Sequence, residues 1–330
     1  MPAFEYVRAA DVAGAVAMAT ADPGASYLAG GTTLVDLMLK DGVVAPATVI
    51  DVGRLPLRGI RLVGDALRVG AMTTMEELAA DPTVASRVPF VREALLLSAS
   101  TQLRNMARIG GNLLQRTRCR YFRDATVAQC NKRIPGSGCG AVAGVARMHA
   151  ILGASEHCIA VHASDLCVPL VAVDAVVHIQ GRSGARSVAL TDLHVPPRDR
   201  PDIEHVLEHG ELITHVDVPL LPVGARSTYL KVRDRASYEF ALTSAAAALV
   251  MRGAVMTHVR LGLGGVATLP WRARAAEAVL EGARADRHTF RAAADAELAA
   301  PYTVDGTRFK VELAKRTIVR ALETVTGVSS

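Results

Sequence analysis

The chain has 330 residues, half of them hydrophobic and 21% charged, with 37 Lys and Arg against 32 Asp and Glu. That length predicts two or more domains with sizeable cores, and the composition excludes a disordered chain. The excess of +5 is spread along the sequence, and six Phe, six Tyr and one Trp show no interleaving with basic residues, so no nucleic-acid partner is expected.

The first residues carry no basic stretch followed by an apolar one, so no signal peptide is read there. The longest apolar runs, such as 241–251, are too short to span a bilayer. A cytoplasmic location is expected, or a periplasmic one through co-export with a partner that carries the signal. Residues 7–20 are Ala-rich and read as a first helix, followed by a buried strand at 26–29 and a helix at 34–40 that stops at Asp41-Gly42. A strand at 49–52 comes next, then a hairpin in which 61–63 and 67–69 flank Gly64-Asp65. Helical spacing returns at 75–80 and 91–99. Beyond the cysteines described below, 166–179 reads as strand-rich, 188–190 as strand, and 212–218 alternates up to Pro219. Pro222 and Gly224 suggest a boundary, giving domains at 1–222 and 223–330. Strands at 228–232, 245–251 and 255–263 and two closing helices at 273–280 and 311–325 complete a mixed α/β pattern.

Four of the five cysteines, Cys119, Cys130, Cys139 and Cys158, fall within forty residues. Four soft thiolates suit a tetrahedral metal or an iron–sulfur centre. Structural zinc favours pairs two to four residues apart, and these gaps are far longer. Disulfides would suit a small secreted scaffold, which this is not. Cys167 lies in an apolar run and is assigned to the core. Between 116 and 147 seven basic residues stand against Asp124 alone, a charge that would offset an anionic cluster. The turn 135–140 carries three glycines that free main-chain N–H groups for sulfur. His149, His157 and His162 beside the cysteines are read as core or loop residues.

A second signal is Tyr27-Leu28-Ala29-Gly30-Gly31-Thr32-Thr33, a glycine turn between a strand and a helix, where N–H groups can approach a phosphate. By itself such a turn is equally a plain structural one. It is no P-loop, since no Gly-Lys-Ser/Thr follows. Gly262-Leu263-Gly264-Gly265 resembles a dinucleotide fingerprint superficially, but Pro270-Trp271 follow where a helix should run, so it is read as a structural turn.

Taken together, residues 27–34, the stretch Gln102-Leu103-Arg104-Asn105-Met106-Ala107-Arg108-Ile109-Gly110-Gly111-Asn112-Leu113, Ser164-Asp165-Leu166 and Tyr229-Leu230-Lys231 resemble the flavoprotein (medium) subunits of the xanthine dehydrogenase and carbon monoxide dehydrogenase family. The cysteine segment narrows the likeness to the branch of periplasmic-type aldehyde oxidoreductases, whose flavin subunit holds an extra [4Fe-4S] cluster. The resemblance implies an α+β fold: a two-part FAD-binding domain of the PCMH type, with sub-domains at 1–56 and 57–222 and an iron–sulfur insert at 115–160, followed by a C-terminal α+β domain. It implies FAD bound by Tyr27, Leu28, Ala29, Gly30, Gly31, Thr32, Thr33, Leu34 and Val35 and by Gly110, Gly111 and Asn112, with Ser100, Asp165, Ile213 and Lys231 near the cofactor. It further implies that Cys119, Cys130, Cys139 and Cys158 ligate the cluster. Arg108 stands where the family usually has Thr or Ser, and it would pair with a phosphate or crowd the site.

The enzyme so implied is a heterotrimer with a large molybdenum-cofactor subunit, a small subunit with two [2Fe-2S] clusters and a soluble electron acceptor. No catalytic residue is assigned to this chain, which also lacks the C-x4-C-x2-C ferredoxin run. The alternatives are an NAD(P)H-dependent flavin reductase on the same fold, a subunit like that of hydroxybenzoyl-CoA reductase or xanthine dehydrogenase, and a non-catalytic iron–sulfur scaffold.

Overall fold

The computed structural model describes residues 2–39 and 42–328. Asp11 decides where the first helix begins: its carboxylate accepts the Gly14 N–H at 2.7 Å, an N-cap that starts α1 (Val12–Ala21) and leaves β1 (Glu5–Arg8) extended before it. The helix expected over 7–20 is therefore shorter, and Val7 belongs to a strand. Next come β2 (Ala25–Leu28), α2 (Leu34–Leu39) and β3 (Thr48–Asp51), and the three strands form a parallel sheet in the order β1-β3-β2. The expected end of the second helix at Lys40-Asp41 lies outside the described residues.

The second sheet is antiparallel and begins with the expected hairpin, β4 (Ile60–Val63) and β5 (Ala66–Gly70). Five helices follow: α3 (Met75–Ala80), α4 (Pro82–Arg87), α5 (Pro89–Leu96), α6 (Thr101–Met106) and α7 (Ile109–Leu113). Thr74 and Glu77 form a reciprocal capping box on α3. The helix expected at 91–99 starts earlier, at Pro89, and ends before Ala99, whose φ of 50° breaks it. After the short α8 (Arg120–Arg123), the chain enters α9 (Cys167–Ala172), where strand was expected. Every residue of α9 is buried, so its apolar run carried no period to separate helix from strand, and Pro169 is tolerated in the first turn. The strand proper is β6 (Val176–Gly181), followed by β7 (Gly184–Ala189), α10 (Leu190–Leu193) and β8 (Leu212–Pro219), in the order β4-β5-β8-β6-β7.

The third sheet contains β9 (Arg226–Val232), β10 (Thr243–Arg252), β11 (Val255–Gly264) and β12 (Trp271–Arg272), all antiparallel. Three helices close the chain rather than two: α11 (Arg274–Leu280), α12 (Arg287–Glu297) and α13 (Phe309–Thr326). The sequence hid α12 because its buried stripe is Phe290, Ala293 and Ala294, two of them too small to register as an apolar face.

Strand β10 is buried on both faces. Ala246 and Ala248 face the large core under α5 and α9, whereas Ala245, Ala247 and Leu249 face a second core under α12 and α13. Small side chains let helices approach both sides. Gly262 and Gly264 on β11 serve the same end, since a Cβ at either would collide with Val168 of α9. The glycine run at 262–265 is thus a packing device.

A buried charged contact helps tie the third sheet to the rest. Lys231 on β9, with its side chain 1% exposed, pairs with Asp165 just before α9 at 2.8 Å. Breaking a buried pair leaves an uncompensated charge, which costs about 3–5 kcal/mol. Lys231→Met should lower stability by that order in urea unfolding of the FAD-free chain, and Asp165→Leu added to it should restore part of the loss. A single variant as stable as the parent would contradict this placement.

Candidate functional site

The two glycine turns, far apart in sequence, are packed against each other. A Cβ at Gly30 would collide with the carbonyl of Met106 and come within 3.1 Å of Ala107 Cα, so the turn after β2 rests on the link between α6 and α7. Gly31 has φ of 73°, a conformation suited to glycine. Among the described residues the N–H groups of Gly30, Gly31, Thr32, Thr33 and Gly111 find no acceptor, while Gly31 and Thr33 carbonyls accept from Val35 and Leu37 at 3.0 Å. Gly110 N–H is taken by Ala71 O at 2.9 Å, and its α-carbon faces the Ala71 methyl. A Cβ at Gly111 would meet nothing within 4 Å. Unpaired main-chain donors beside a glycine facing open space make a cradle for an anion such as a pyrophosphate.

Side chains of the first turn take other parts. The Tyr27 hydroxyl donates to Gly210 O at 2.7 Å, and burial pushes its pKa up to about 12, so it anchors the turn as a neutral phenol. Leu28 O accepts from Val52, Ala29 and Leu34 are partly buried, and Val35 is partly exposed on α2. Ser100 caps α6, accepting from Leu103 N–H at 3.3 Å. Ile213 is 3% exposed on β8 with its side chain in the large core. Arg108 is turned onto Met72 O at 3.0 Å and leaves a buried Nε without a partner among the described residues. Burial, with Arg58 nearby, lowers its pKa.

Asn112 carries the cradle onward. Its Oδ1 accepts from Ser164 Oγ at 2.6 Å, and the next residue, Asp165, accepts from Tyr229 Oη at 2.6 Å, Lys231 Nζ at 2.8 Å and Ser98 Oγ at 3.0 Å. Burial, then the Asp165 charge, raises the Tyr229 pKa well above its ordinary value. Ser98 and Tyr229 were not singled out in the sequence, although Tyr229 lies in the quoted Tyr-Leu-Lys stretch. Asp165 also lines a cavity of about 440 Å³ whose wall includes Cys119, Arg120 and His149.

The four clustered cysteines converge, and no disulfide joins them. Cys130 bridges Cys139 in an antiparallel pairing, held by Asn131, which exchanges bonds with Gly138 and reaches His157 O at 3.0 Å. Burial pushes the Cys119 thiol up to about 12, with Cys158 and Cys130 adding to the rise. The Cys158 thiol goes to about 11, again by burial first and with Cys139 and Cys130 close enough to contribute. Nitrogen groups already face two of the sulfurs: Ala160 N–H lies 3.5 Å from Cys158 Sγ, and His149 Nε2 lies 3.2 Å from Cys119 Sγ. Four free cysteines drawn together here, two buried and two half-buried, with nitrogen atoms beside two of their sulfurs, fit an iron–sulfur centre. Cys167 is fully buried apart from them, as expected.

Five of the seven basic residues of this segment are engaged by acids from elsewhere, which the count over 116–147 did not include. Arg116 and Lys132 grip Glu204, each at 2.8 Å; Arg123 and Arg118 reach Asp36 on α2 at 3.0 and 3.4 Å; Arg147 holds Asp234 at 2.7 Å. Their charge therefore anchors the segment to three parts of the fold. His149, read as a core or loop residue, is buried, and its contact with Cys119 is one the local sequence did not signal. A separate group on the second sheet, His178, His215 and Asp217, brings its ligand atoms within 4.8 Å of one another, but its carboxylate is already engaged. Arg68 takes both Asp217 oxygens at 2.8 and 2.7 Å, and the two rings stack at 4.1 Å and 14°, so their lone pairs run side by side.

An anion cradle built from two glycine turns suits a subunit that binds a phosphate-bearing cofactor, and comparison with known proteins gives its class. Residues 2–221 match the FAD binding domain in molybdopterin dehydrogenase, and residues 228–325 match the CO dehydrogenase flavoprotein C-terminal domain. The chain belongs to the FAD-binding subunits of the molybdenum hydroxylase family. It is 46% identical over 325 residues to the aldehyde oxidoreductase FAD-binding subunit PaoB of Escherichia coli (strain K12), covering 98% of both chains. It is 28% identical to the carbon monoxide dehydrogenase medium chain of Afipia carboxidovorans, over 97% of this chain and 96% of that one. A solved carbon monoxide dehydrogenase from Hydrogenophaga pseudoflava superimposes with a TM-score of 0.77 at 27% identity, covering 100% of this chain and 99% of the other.

Because Gly111 has open space at its α-carbon, Gly111→Ala should fold as well as the parent yet bind FAD at least roughly tenfold more weakly, a loss of about 1.4 kcal/mol. Fluorescence titration with FAD, alongside thermal melting of the apoprotein, checks both halves. Unchanged affinity would remove Gly111 from the cradle.

Proposed function

We propose that this chain carries FAD and one [4Fe-4S] cluster and serves as the electron-transfer subunit of a heterotrimeric molybdenum-containing aldehyde oxidoreductase. Its partners in this reading are a molybdenum-cofactor large subunit, which oxidises the aldehyde, and a [2Fe-2S] small subunit, which delivers the electrons. A soluble acceptor then takes them away. The observation that carries the reading is the continuity of the two glycine turns, Asn112, Ser164 and Asp165 with a cavity that also reaches Cys119. We read residues 1–222 as the two-part FAD-binding domain and 223–330 as the C-terminal domain.

The roles of the residues follow from their chemistry. The N–H groups of Gly30, Gly31, Thr32, Thr33 and Gly111 would bind the pyrophosphate, each charge-assisted bond being worth about 1.5–3 kcal/mol. Asp165, held by Lys231, Tyr229 and Ser98, is a fixed carboxylate at the cavity wall and would orient polar groups of the cofactor. Cys119, Cys130, Cys139 and Cys158 would hold the cluster. Bound FAD supplies the conversion between single-electron donors and an acceptor of one or two electrons. The protein contributes binding, orientation and exclusion of water, and no proton-transfer pair of its own is required.

Cys119→Ser should lower iron per chain, whereas Cys167→Ser should leave it unchanged, as measured by iron analysis of the purified protein. Equal iron in all three proteins, or zinc at one per chain, would overturn the cluster. For the wider reading, the isolated chain should bind FAD without oxidising aldehydes, and partner subunits should restore turnover to a dye acceptor. Undiminished turnover to the native acceptor in the FAD-free complex would refute the electron-exit role.

A further inference from the structure

The contact between His149 and Cys119 has an unusual support. His149 is 4% exposed, and its Nδ1 is buried with no partner among the described residues. Its Nε2 is 3.2 Å from Cys119 Sγ. Its main chain is held at both ends: the N–H donates to Ala146 O at 2.8 Å, and the carbonyl accepts from Lys310 Nζ at 2.7 Å. Lys310 stands at the start of α13 and is fully buried; it also donates to Gly265 O at 2.6 Å. No carboxylate among the described residues pairs with it. Burial lowers the Lys310 pKa to about 7, because an ammonium satisfied by carbonyls alone is costly to keep charged unless an anionic group lies near.

Both features have one explanation. A thiolate bound to iron accepts hydrogen bonds and cannot donate them, so the ring nitrogen facing it must carry the proton. That fixes the His149 tautomer with the N–H on Nε2 and a bare Nδ1. A cluster on four thiolates is net negative, and it would supply the missing counter-charge for Lys310. Hydrogen bonds to the sulfurs and nearby charge are among the main determinants of an iron–sulfur reduction potential.

The geometry points to His149 and Lys310 as the residues that set the electron affinity of the cluster: His149 by an N–H···S bond to Cys119, Lys310 by holding His149 in place and adding a buried positive charge. Both raise the reduction potential, because the added electron increases the negative charge they stabilise. They are positioning and tuning residues, and they leave the iron ligands unchanged. The inference rests on the cysteines holding a [4Fe-4S] cluster, as proposed above.

The test is an anaerobic redox titration of the full-length, FAD-loaded chain with dithionite as reductant, following the electron paramagnetic resonance of the reduced cluster, with iron measured on the same samples. His149→Leu should retain its iron and show a more negative midpoint potential. His149→Gln, whose amide can donate to sulfur, should lie closer to the parent, and Lys310→Met should shift in the same direction as His149→Leu. A merely structural role would lower thermal stability without this ordered displacement. An iron-replete His149→Leu with the parent's midpoint overturns the assignment of His149 while leaving the cluster standing. Iron-free parent protein overturns the cluster itself and the inference with it. Should His149→Leu lose its iron, parental midpoints in both His149→Gln and Lys310→Met would equally sink the proposal.

Discussion

The buried ion pair of Asp165 with Lys231 is the contact on which the meeting of strand β9, the helical layer and the second glycine turn depends. Removing both charges from water is expensive, and it is sustained here because the carboxylate receives three donors in all, from Lys231, Tyr229 and Ser98. Tyr229 and Lys231 are two apart on β9 and so share one face of the strand, which fixes the register of that face against Asp165. Glu93 on α5 accepts the Tyr229 N–H at 2.6 Å, tying the same strand to the helical layer. From Asp165 the order passes to Ser164, from Ser164 to Asn112, and so to the second glycine turn. Packing and cradle are thus set by one connected polar network.

Close approach is the second theme. Gly30 against Met106, Gly110 against Ala71, and Gly262 and Gly264 against Val168 are all places where one methyl would separate two elements. The alanines of β10 act likewise, allowing the strand to be buried on both faces between two cores. Interiors are packed closely enough that such positions cannot be relaxed without moving main chain. The consequence for the site is that its geometry is held by main chain rather than by mobile loops.

The cysteine segment has little regular structure and is secured by charge instead. Arginines and lysines within it reach Asp36 on α2, Glu204 before β8 and Asp234 beyond β9. Arg133 turns inward and donates to the carbonyls of Phe122, Asp124 and Val127, closing the loop on itself. Four free cysteines are thereby held in a segment whose regular features are the short α8 and isolated bridges such as that between Cys130 and Cys139.

Much of this was legible in the residues themselves. The alternation of strands and helices, the clustered cysteines, the separate fate of Cys167 and the glycine turns follow from local patterns, because period, turn chemistry and motif spacing are properties of neighbouring residues, and the family followed from the resemblance of those motifs. Where the pattern was silent, the expectation failed for a physical reason: α9 is apolar on every side, α12 buries mainly alanine, and Asp11 moved the start of α1 by a single cap. What only the tertiary structure decided is which distant groups meet. Nothing near Lys310 in sequence marks it as the support of His149, and nothing in the count of charges over 116–147 announces Asp36 or Glu204. Burial and electrostatic pairing depend on proximity in space, and that proximity exists only once the chain has folded.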